Sequence, residues 1–327
     1  MSQPGPKNLI TDIAGLRVGN SEDFDVLTGT TVLLPEKPVT AVADIRGGGP
    51  GTREIDVMNP ENLVEQVDAI TLSGGSAFGL EAASGVMNAL SVAGRGFRMG
   101  PKNIPIVPGA ILFDLMNGGD KDWGGHTPYD RLGREAVANA GTDFQLGNAG
   151  AGLGATAGPL KGGLGSASWV TEDGYTVGAL VAANPTGHVV MPDGRTFWAW
   201  YLEHGDEFGG NPPPTERSIV DPDVAFAEPG NTTIAIVATD ATMHKGLLKR
   251  VAIMAHDGFA RAIRPVHTPF DGDTIFALST DTRQMPNPQQ LSRLGAATAD
   301  CLARAIARAV YAADDIGGLK SYRSRQR

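Results

Sequence analysis

The sequence predicts a large α/β fold, and three observations support that class. Residues 232–327 alternate strand, helix, strand and helix in their apolar periodicity. Glycine is abundant, with 44 residues concentrated in loops that follow strand-like runs. With 327 residues and 41% hydrophobic content, the chain can bury a large core. We therefore expect one large α/β domain or two closely joined ones.

The first part of the chain is predicted to supply strands and a helix with a face of small residues. Strands are expected at 8–18, 28–34, 39–45 and 69–72. The Gly74-Gly75 pair then precedes a helix over 77–87, whose small residues allow close packing on a sheet. The alternative is that the N–H groups at the start of this helix bind an anion.

The middle of the chain alternates in the same way and ends in a linker. A strand-like run at 104–115 precedes a helix at 129–140, which Asp130 is expected to cap. Further strands are predicted at 175–183 and 196–202. Proline, glycine and acidic residues then dominate 205–230, as is typical of a linker.

The last part has the most regular pattern. Strands are predicted at 232–238 and 274–279, and each is followed by a helix with apolar residues at helical spacing. The apolar positions of the first helix are Met243, Leu247, Leu248, Val251, Met254 and Ala255. Those of the second are Leu291, Leu294, Cys301, Leu302, Ala305 and Val310.

Composition excludes several functional classes. The net charge of -9 and the pI near 5.1 argue against nucleic acid as a partner. No apolar run reaches the ~18 residues that a membrane helix needs, and no signal-peptide pattern opens the chain. The single cysteine, Cys301, excludes an internal disulfide and fits a reducing compartment. We expect a cytoplasmic protein that has no membrane partner.

The glycine-rich stretch at 147–165 is not a nucleotide-binding motif. Its residues 152–157 match the letters of a dinucleotide fingerprint, but Pro159 and the Gly162-Gly163 pair forbid the helix that must follow. The Gly-Lys-Ser/Thr ending of a P-loop is also missing. Lys161 is thus either a solvated loop residue or part of a site of another kind.

A turn signal runs directly into a β-branched strand at 228–237. Pro229-Gly230 reverses the chain, Asn231 tolerates an unusual φ, and Thr232 opens the strand, so one peptide bond is presented at a bend. If the hydroxyl of Thr232 attacks the carbonyl of Asn231, the amide becomes an ester, and water then releases Thr232 as a new N-terminus. Its α-amine, which titrates near pH ~8, can then act as base for its own hydroxyl.

Polar residues elsewhere are candidates to support this chemistry. Asp271 and Asp273 point the same way if their segment is extended, and they could hold the hydroxyl and amine of Thr232. Replacing either with Asn is expected to spare the fold and to lower kcat by ~10² or more. The alternative is a turn with two solvated acids, whereas a calcium loop lacks its further ligands. Asn184 follows a strand and either directs its amide at an oxyanion or starts a turn.

Five motifs resemble one enzyme family and occur in its order over nearly the whole chain. They are TLSGGSAFGLEA at 71–82, LKGGLG at 160–165, ANP at 183–185, GNTT at 230–233 and HTPFDGDT at 267–274. Together they resemble the P1 peptidase family of L-aminopeptidase/D-esterases, β-peptidyl aminopeptidases and nylon-oligomer hydrolases. The resemblance implies a single catalytic domain, 1–327, with two β-sheets sandwiched between helical layers. It also implies autocleavage into chains 1–231 and 232–327 and assembly into a homo-oligomer.

The resemblance also implies roles for individual residues. Thr232 becomes the nucleophile, Asn231 its cleaved neighbour and Asn184 an oxyanion donor. Asp271 and Asp273 become orienting acids. Lys161 becomes a supporting residue, and Phe78 a substrate-side wall where relatives often carry Tyr.

The sequence departs from the aminopeptidase branch at these positions. Aminopeptidases of the family typically have Ser as the nucleophile, with Ser and Glu at the paired positions. Thr232 with Asp271 and Asp273 is closer to the nylon-oligomer hydrolases. Phe78 lacks the hydroxyl through which Tyr would donate a hydrogen bond.

The sequence therefore predicts an N-terminal-threonine amide hydrolase that works through a threonyl acyl-enzyme. It needs no cofactor and no metal, since none of the six histidines has a metal-ligand spacing. The expected substrates are short linear amides: small peptides, amino-acid amides or 6-aminohexanoate oligomers.

Three alternatives remain open. One is an acyltransferase of the ornithine acetyltransferase type, and another is an aminopeptidase specific for L-, D- or β-amino-acid N-termini. The third is a non-enzymatic binding protein in which 231–233 is only a glycosylation sequon.

Overall fold

The computed structural model describes residues 2–215 and 231–326 of the chain. Its strands, in chain order, are β1 (Leu16–Asp23), β2 (Thr28–Pro35), β3 (Val39–Ile45), β4 (Thr52–Arg53), β5 (Gln66–Val67), β6 (Ile70–Ser73), β7 (Phe97–Met99), β8 (Lys102–Ile104), β9 (Gly109–Ile111), β10 (Thr156–Ala157), β11 (Leu160–Lys161), β12 (Gly163–Val170), β13 (Thr176–Ala183), β14 (Ile234–Ala241) and β15 (Thr274–Arg283). The α-helices are α1 (Glu81–Val92), α2 (Tyr129–Ala138), α3 (Lys245–Ala262), α4 (Pro288–Ala312) and α5 (Tyr322–Arg325).

Two sheets stack on one another between two layers of helices. The five-stranded sheet has the order β1-β2-β6-β9-β4, and the six-stranded sheet has the order β12-β13-β14-β15-β3-β5. Helices α1 and α2 pack on the five-stranded sheet, and α3 and α4 pack on the six-stranded sheet. The architecture is therefore αββα, and the fold class predicted from the sequence is confirmed.

The central strands are apolar on both faces because both faces are buried. Along β14, Ala235 and Val237 face the core beneath α3 and α4, whereas Ile234 and Ile236 face the core between the sheets. A strand covered on both sides reads as a continuous apolar run rather than an alternating one. The predicted strand at 232–238 had that composition and lies within or just before β14.

Strand β12 was missed because its glycines read as a loop. A Cβ atom on Gly165 would lie 2.0 Å from the carbonyl oxygen of Ala305 in α4, and one on Gly163 would lie 2.4 Å from that of Ala309. Glycine is required here because helix α4 lies directly against the strand backbone. The glycines thus mark close packing of helix on sheet.

Some predicted elements were wrong in extent or type. The segment predicted as a strand at 196–202 forms only a single β-bridge at Phe197 and a 3-10 helix at Trp200–Leu202. In 8–18 a 3-10 helix precedes β1, and 104–115 contains only the last residue of β8 and the short β9, because Pro105 and Pro108 interrupt the run between them. Asp130 lies in the first turn of α2 after the capping position, which Pro128 occupies.

The predicted linker at 205–230 lies partly outside the described residues. Its described part, 205–215, contains neither helix nor strand. The predicted Pro229-Gly230 turn lies outside the described residues. Within the described ranges, no helix combines the length and apolar character needed to cross a membrane.

Candidate active site

Strand pairing in the six-stranded sheet brings three chain segments together at one end of its strands β13, β14 and β15. Strand β14 runs parallel to β15, with Ile234 beside Thr274, and antiparallel to β13, with Ile234 beside Ala182. The residues just before β14, just before β15 and just after β13 therefore meet. Thr232, Asp271, Asp273 and Asn184 all lie in these segments.

The hydroxyl of Thr232 lies beside the peptide bond that precedes it. Its Oγ1 is 2.5 Å from the carbonyl oxygen of Asn231 and accepts the N–H of Gly272 at 3.0 Å. The N–H of Thr232 donates to the backbone carbonyl of Asn184 at 2.7 Å. Asn231 also forms a parallel β-bridge with Asp271, and Thr232 is only 4% exposed. The hydroxyl of Thr232 and the peptide bond that precedes it are thus held together in a buried site.

Asp271 and Asp273 organise the residues around Thr232. Asp271 accepts four hydrogen bonds, from the N–H and hydroxyl groups of Thr186 and of Thr268. Asp273 accepts the N–H of Thr233 at 3.0 Å, together with the N–H and the ring Nδ1 of His267 at 3.1 and 2.7 Å. The alternative of two solvated acids is therefore wrong.

The expected direct contact of these acids with Thr232 is absent among the described residues. In the intact chain the hydroxyl instead receives the backbone N–H of Gly272, the residue between the two acids. The prediction that Asn replacements spare the fold stays a prediction, and the hydrogen bonds of the two acids argue against it. Each carboxylate oxygen of Asp271 and Asp273 accepts a backbone N–H, so an Asn amide group would face another donor.

The side chain of Asn184 is fixed at both ends of its amide. Oδ1 accepts the N–H of Thr156 at 2.7 Å and its hydroxyl at 3.2 Å, and Nδ2 donates to the carbonyl of Phe113 at 3.1 Å. A side-chain amide carries two N–H donors, so one donor is left for a further acceptor. Asn184 is completely buried and therefore presents that donor in a pre-organised orientation.

Lys161 supports the loop next to Asn184. It is completely buried, which excludes the solvated-loop alternative, and its Nζ donates to the carbonyls of Gly152, Ala155 and Gly162 at 2.8 to 2.9 Å. Three acceptors match the three N–H groups of an ammonium. Burial lowers the pKa of Lys161 to about 7, and the charge of Asp114 opposes that shift. Because all three of its N–H groups are paired with loop carbonyls, Lys161 holds the loop in place.

Phe78 lies on an exposed aromatic edge. It belongs to the 3-10 helix Ser76–Leu80, is 52% exposed, and packs edge-to-face against Trp123 with ring centroids 5.5 Å apart. The possible anion site at the start of this segment is occupied from within the chain. The N–H of Gly75 donates to a carboxylate oxygen of Asp114 at 2.7 Å.

Several residues of the site were not singled out from the sequence. Gly272 appeared only as part of the motif at 267–274, although its N–H donates to the hydroxyl of Thr232. Thr268 precedes Asp271 by three residues, a spacing typical of side-chain capping in turns, and this signal could have been used. Thr186 carried no local signal, because it reaches Asp271 only after the strands pair. His267 lies six residues before Asp273 in the motif at 267–274, so its contact is a local one.

Within the described ranges, no group of three His, Cys, Asp or Glu side chains lies close enough to hold a metal ion. The absence of a metal from the reaction stays a prediction.

Comparison with solved structures identifies the class of fold. The structure titled L-aminopeptidase D-Ala-esterase/amidase from Ochrobactrum anthropi, described there as a variant of the Ntn hydrolase fold, matches with a TM-score of 0.70. It is 22% identical and covers 97% of this chain and 90% of its own. The chain therefore has an Ntn hydrolase fold. The sequence model of peptidase family S58 matches residues 8–324, and the chain belongs to that family.

Sequence relatives extend this result. An uncharacterized aminopeptidase of Mycobacterium tuberculosis is 43% identical over 340 residues, covering 97% of each chain. The 6-aminohexanoate-oligomer endohydrolase of Paenarthrobacter ureafaciens is 30% identical over 308 residues, covering 88% of this chain and 79% of its own. The resemblance drawn from the motifs is confirmed, and the protein is a hydrolase that acts on amide bonds.

A Cβ atom at position 272 should displace the hydroxyl of Thr232. In Gly272→Ala the new methyl would lie 2.8 Å from Oγ1 of Thr232 and 2.8 Å from the carbonyl oxygen of Gly49. Because a shift of ~1 Å in a reacting group can cost ~10² in rate, we expect at least a ~10-fold loss of amide hydrolysis. Gly49→Ala is the matched control, because its nearest new contacts lie at 3.9 Å. Wild-type turnover by Gly272→Ala would contradict the placement of Thr232.

Proposed function

We propose that the protein is a self-processing N-terminal-threonine hydrolase of short linear amides, which works through a threonyl acyl-enzyme. One observation carries the proposal: the buried hydroxyl of Thr232 lies 2.5 Å from the carbonyl oxygen of Asn231 while it accepts the N–H of Gly272. A buried hydroxyl held beside the carbonyl group that precedes it needs only a small rotation to attack the carbon of that group, and this supports the proposal.

Self-cleavage follows from this geometry in two steps. Oγ1 of Thr232 attacks the carbonyl carbon of Asn231, the C–N bond breaks, and the hydroxyl proton ends on the nitrogen, which becomes the α-amine of Thr232. Asn231 is then held to Thr232 as an ester. Water hydrolyses that ester, which leaves a carboxylate on Asn231 and restores the hydroxyl of Thr232.

The same residues then catalyse turnover of added amides. The α-amine of Thr232 takes the proton of its own hydroxyl, which attacks the substrate carbonyl. The free N–H of Asn184 stabilises the oxyanion, and the leaving amine takes the proton as the acyl-enzyme ester forms. Water then releases the acid product. The backbone carbonyl of Asn184, which accepts the N–H of Thr232 at 2.7 Å before cleavage, is positioned to orient the amine.

The substrate class rests on the aromatic edge and on the relatives. We expect Phe78, which packs against Trp123, to form an apolar wall on the substrate side, and such a wall would favour extended, unbranched acyl chains. The relatives named above include a 6-aminohexanoate-oligomer endohydrolase and an aminopeptidase. We therefore propose small peptides, amino-acid amides and 6-aminohexanoate oligomers as substrates. We also propose that the processed protomers form a cytoplasmic homo-oligomer.

Processing should be visible on a denaturing gel. The purified protein is expected to give two chains, 1–231 and 232–327, and sequencing should find Thr232 at the N-terminus of the smaller one. Thr232→Ala lacks the hydroxyl and should remain one inactive chain, whereas Thr232→Ser keeps it and should still be cut. A wild-type preparation that stays uncut but hydrolyses amides would sink the mechanism.

Substrate preference and pH dependence test the second half of the proposal. A 6-aminohexanoate dimer or trimer should release free amine faster than Phe-amide does. Because the α-amine must be neutral to act as base, activity should rise with pH through its titration near pH ~8. Turnover of Phe-amide without any turnover of the linear oligomers would instead assign the protein to the aminopeptidase branch.

A further inference from the structure

Asp114 is a buried carboxylate beside the active site to which no role has yet been assigned. Asp114 follows β9, which runs parallel to β6, so it leaves the five-stranded sheet next to Gly74 and Gly75. It is 2% exposed and accepts the hydroxyl of Thr28 at 2.7 Å and the N–H of Gly75 at 2.7 Å. No step of the proposed mechanism uses it.

Two glycine-rich loops pack directly against this carboxylate. A Cβ atom on Gly74 would lie 2.1 Å from Oδ2 of Asp114, and one on Gly154 would lie 2.4 Å from the same oxygen. Glycine is required in both loops because the carboxylate fills the space that a side chain would take. Asp114 therefore holds the loop that follows β6 against the loop 150–155, which Lys161 braces through its carbonyls.

Both anchors of Asn184 adjoin this carboxylate. The carbonyl that accepts Nδ2 belongs to Phe113, the residue before Asp114. The N–H that donates to Oδ1 belongs to Thr156, which follows the loop packed on Asp114 through Gly154. A shift of Asp114 would move both anchors of the amide at once.

We infer that Asp114 is a positioning residue, which fixes the direction of the oxyanion-stabilising N–H of Asn184 by holding both of its anchors. This inference rests on the proposed function, in which Asn184 stabilises the oxyanion. Among the described residues, Asp114 accepts hydrogen bonds from Thr28 and Gly75 and none from Thr232. Its effect on the rate is expected to pass through Asn184.

A double-mutant cycle tests this route. Asp114→Ala should lower kcat by roughly 10- to 100-fold with KM changed less than ~3-fold, because a misdirected donor acts on the transition state. Asn184→Ala should lower kcat by ~10² or more. The double variant should be no slower than Asn184→Ala alone. Asp114→Asn keeps the volume and an acceptor for Gly75, and it should recover most of the loss. Losses that multiply in the double variant would overturn the inference.

Asp68→Ala is the matched control. Asp68 is also a buried carboxylate beside the five-stranded sheet and accepts one backbone N–H, that of Ile106, at 2.9 Å. Its kcat should equal the wild-type value. An equal loss in Asp68→Ala and Asp114→Ala, or wild-type kcat in Asp114→Ala, would also refute the positioning role. If Asp114→Ala does not fold, Thr28→Val replaces it in the cycle, because Val removes the donor at nearly constant volume.

A readout without activity separates this inference from the proposed function. In the Thr232→Ala chain, Asp114→Ala should increase deuterium uptake in peptides spanning 150–158 and 183–187, and Asp68→Ala should not. Unchanged uptake in both variants would count against Asp114. The proposed function is tested separately, by processing and amide turnover of the wild-type chain, which need no variant of Asp114.

Discussion

The parallel pairing of β14 with β15 is the constraint on which the site depends. Two parallel strands begin at the same end of the sheet, so the residues that precede each strand become neighbours. The register that places Ile234 beside Thr274 also brings Asn231 beside Asp271 and the N–H of Gly272 to the hydroxyl of Thr232. The connection through α3 supplies the crossover that such a pair requires. A slip of one residue in this register would separate the hydroxyl of Thr232 from the N–H of Gly272.

Much of this arrangement could be predicted from the sequence because it follows from local patterns. The order β14, α3, β15, α4 was visible in the apolar periodicity, and the five motifs identified the family. The relation between Thr232 and Asp271 could not be derived in this way, because strand β14, helix α3 and the loop after it lie between them in the chain. What Asp271 binds depends on Thr186, which reaches it only through the completed sheet.

Glycine misled the sequence-based prediction in one place and informed it in another. In β12 the glycines read as loop, although Gly165 is a strand residue that lets α4 approach the sheet. Around Asp114 the glycines do lie in loops, and their role is to leave room for a carboxylate. The frequency of glycine alone does not distinguish a closely packed strand from a loop, because the group that fills the space left by the missing side chain lies elsewhere in the sequence.

The central position of β14 and β15 also affects how a cut molecule would behave. These strands lie inside the six-stranded sheet, between β13 and β3, and share one core with them. A break before Thr232 would therefore leave two fragments that remain interlocked while the fold persists. Once denatured, the fragments would have to find each other in solution, so refolding would become second order and slow on dilution, whereas the intact chain refolds in a first-order process. The native state of a cut enzyme would then persist only because it unfolds slowly. After unfolding in dilute solution the two fragments would rarely meet, so the native state would not be recovered on a practical timescale.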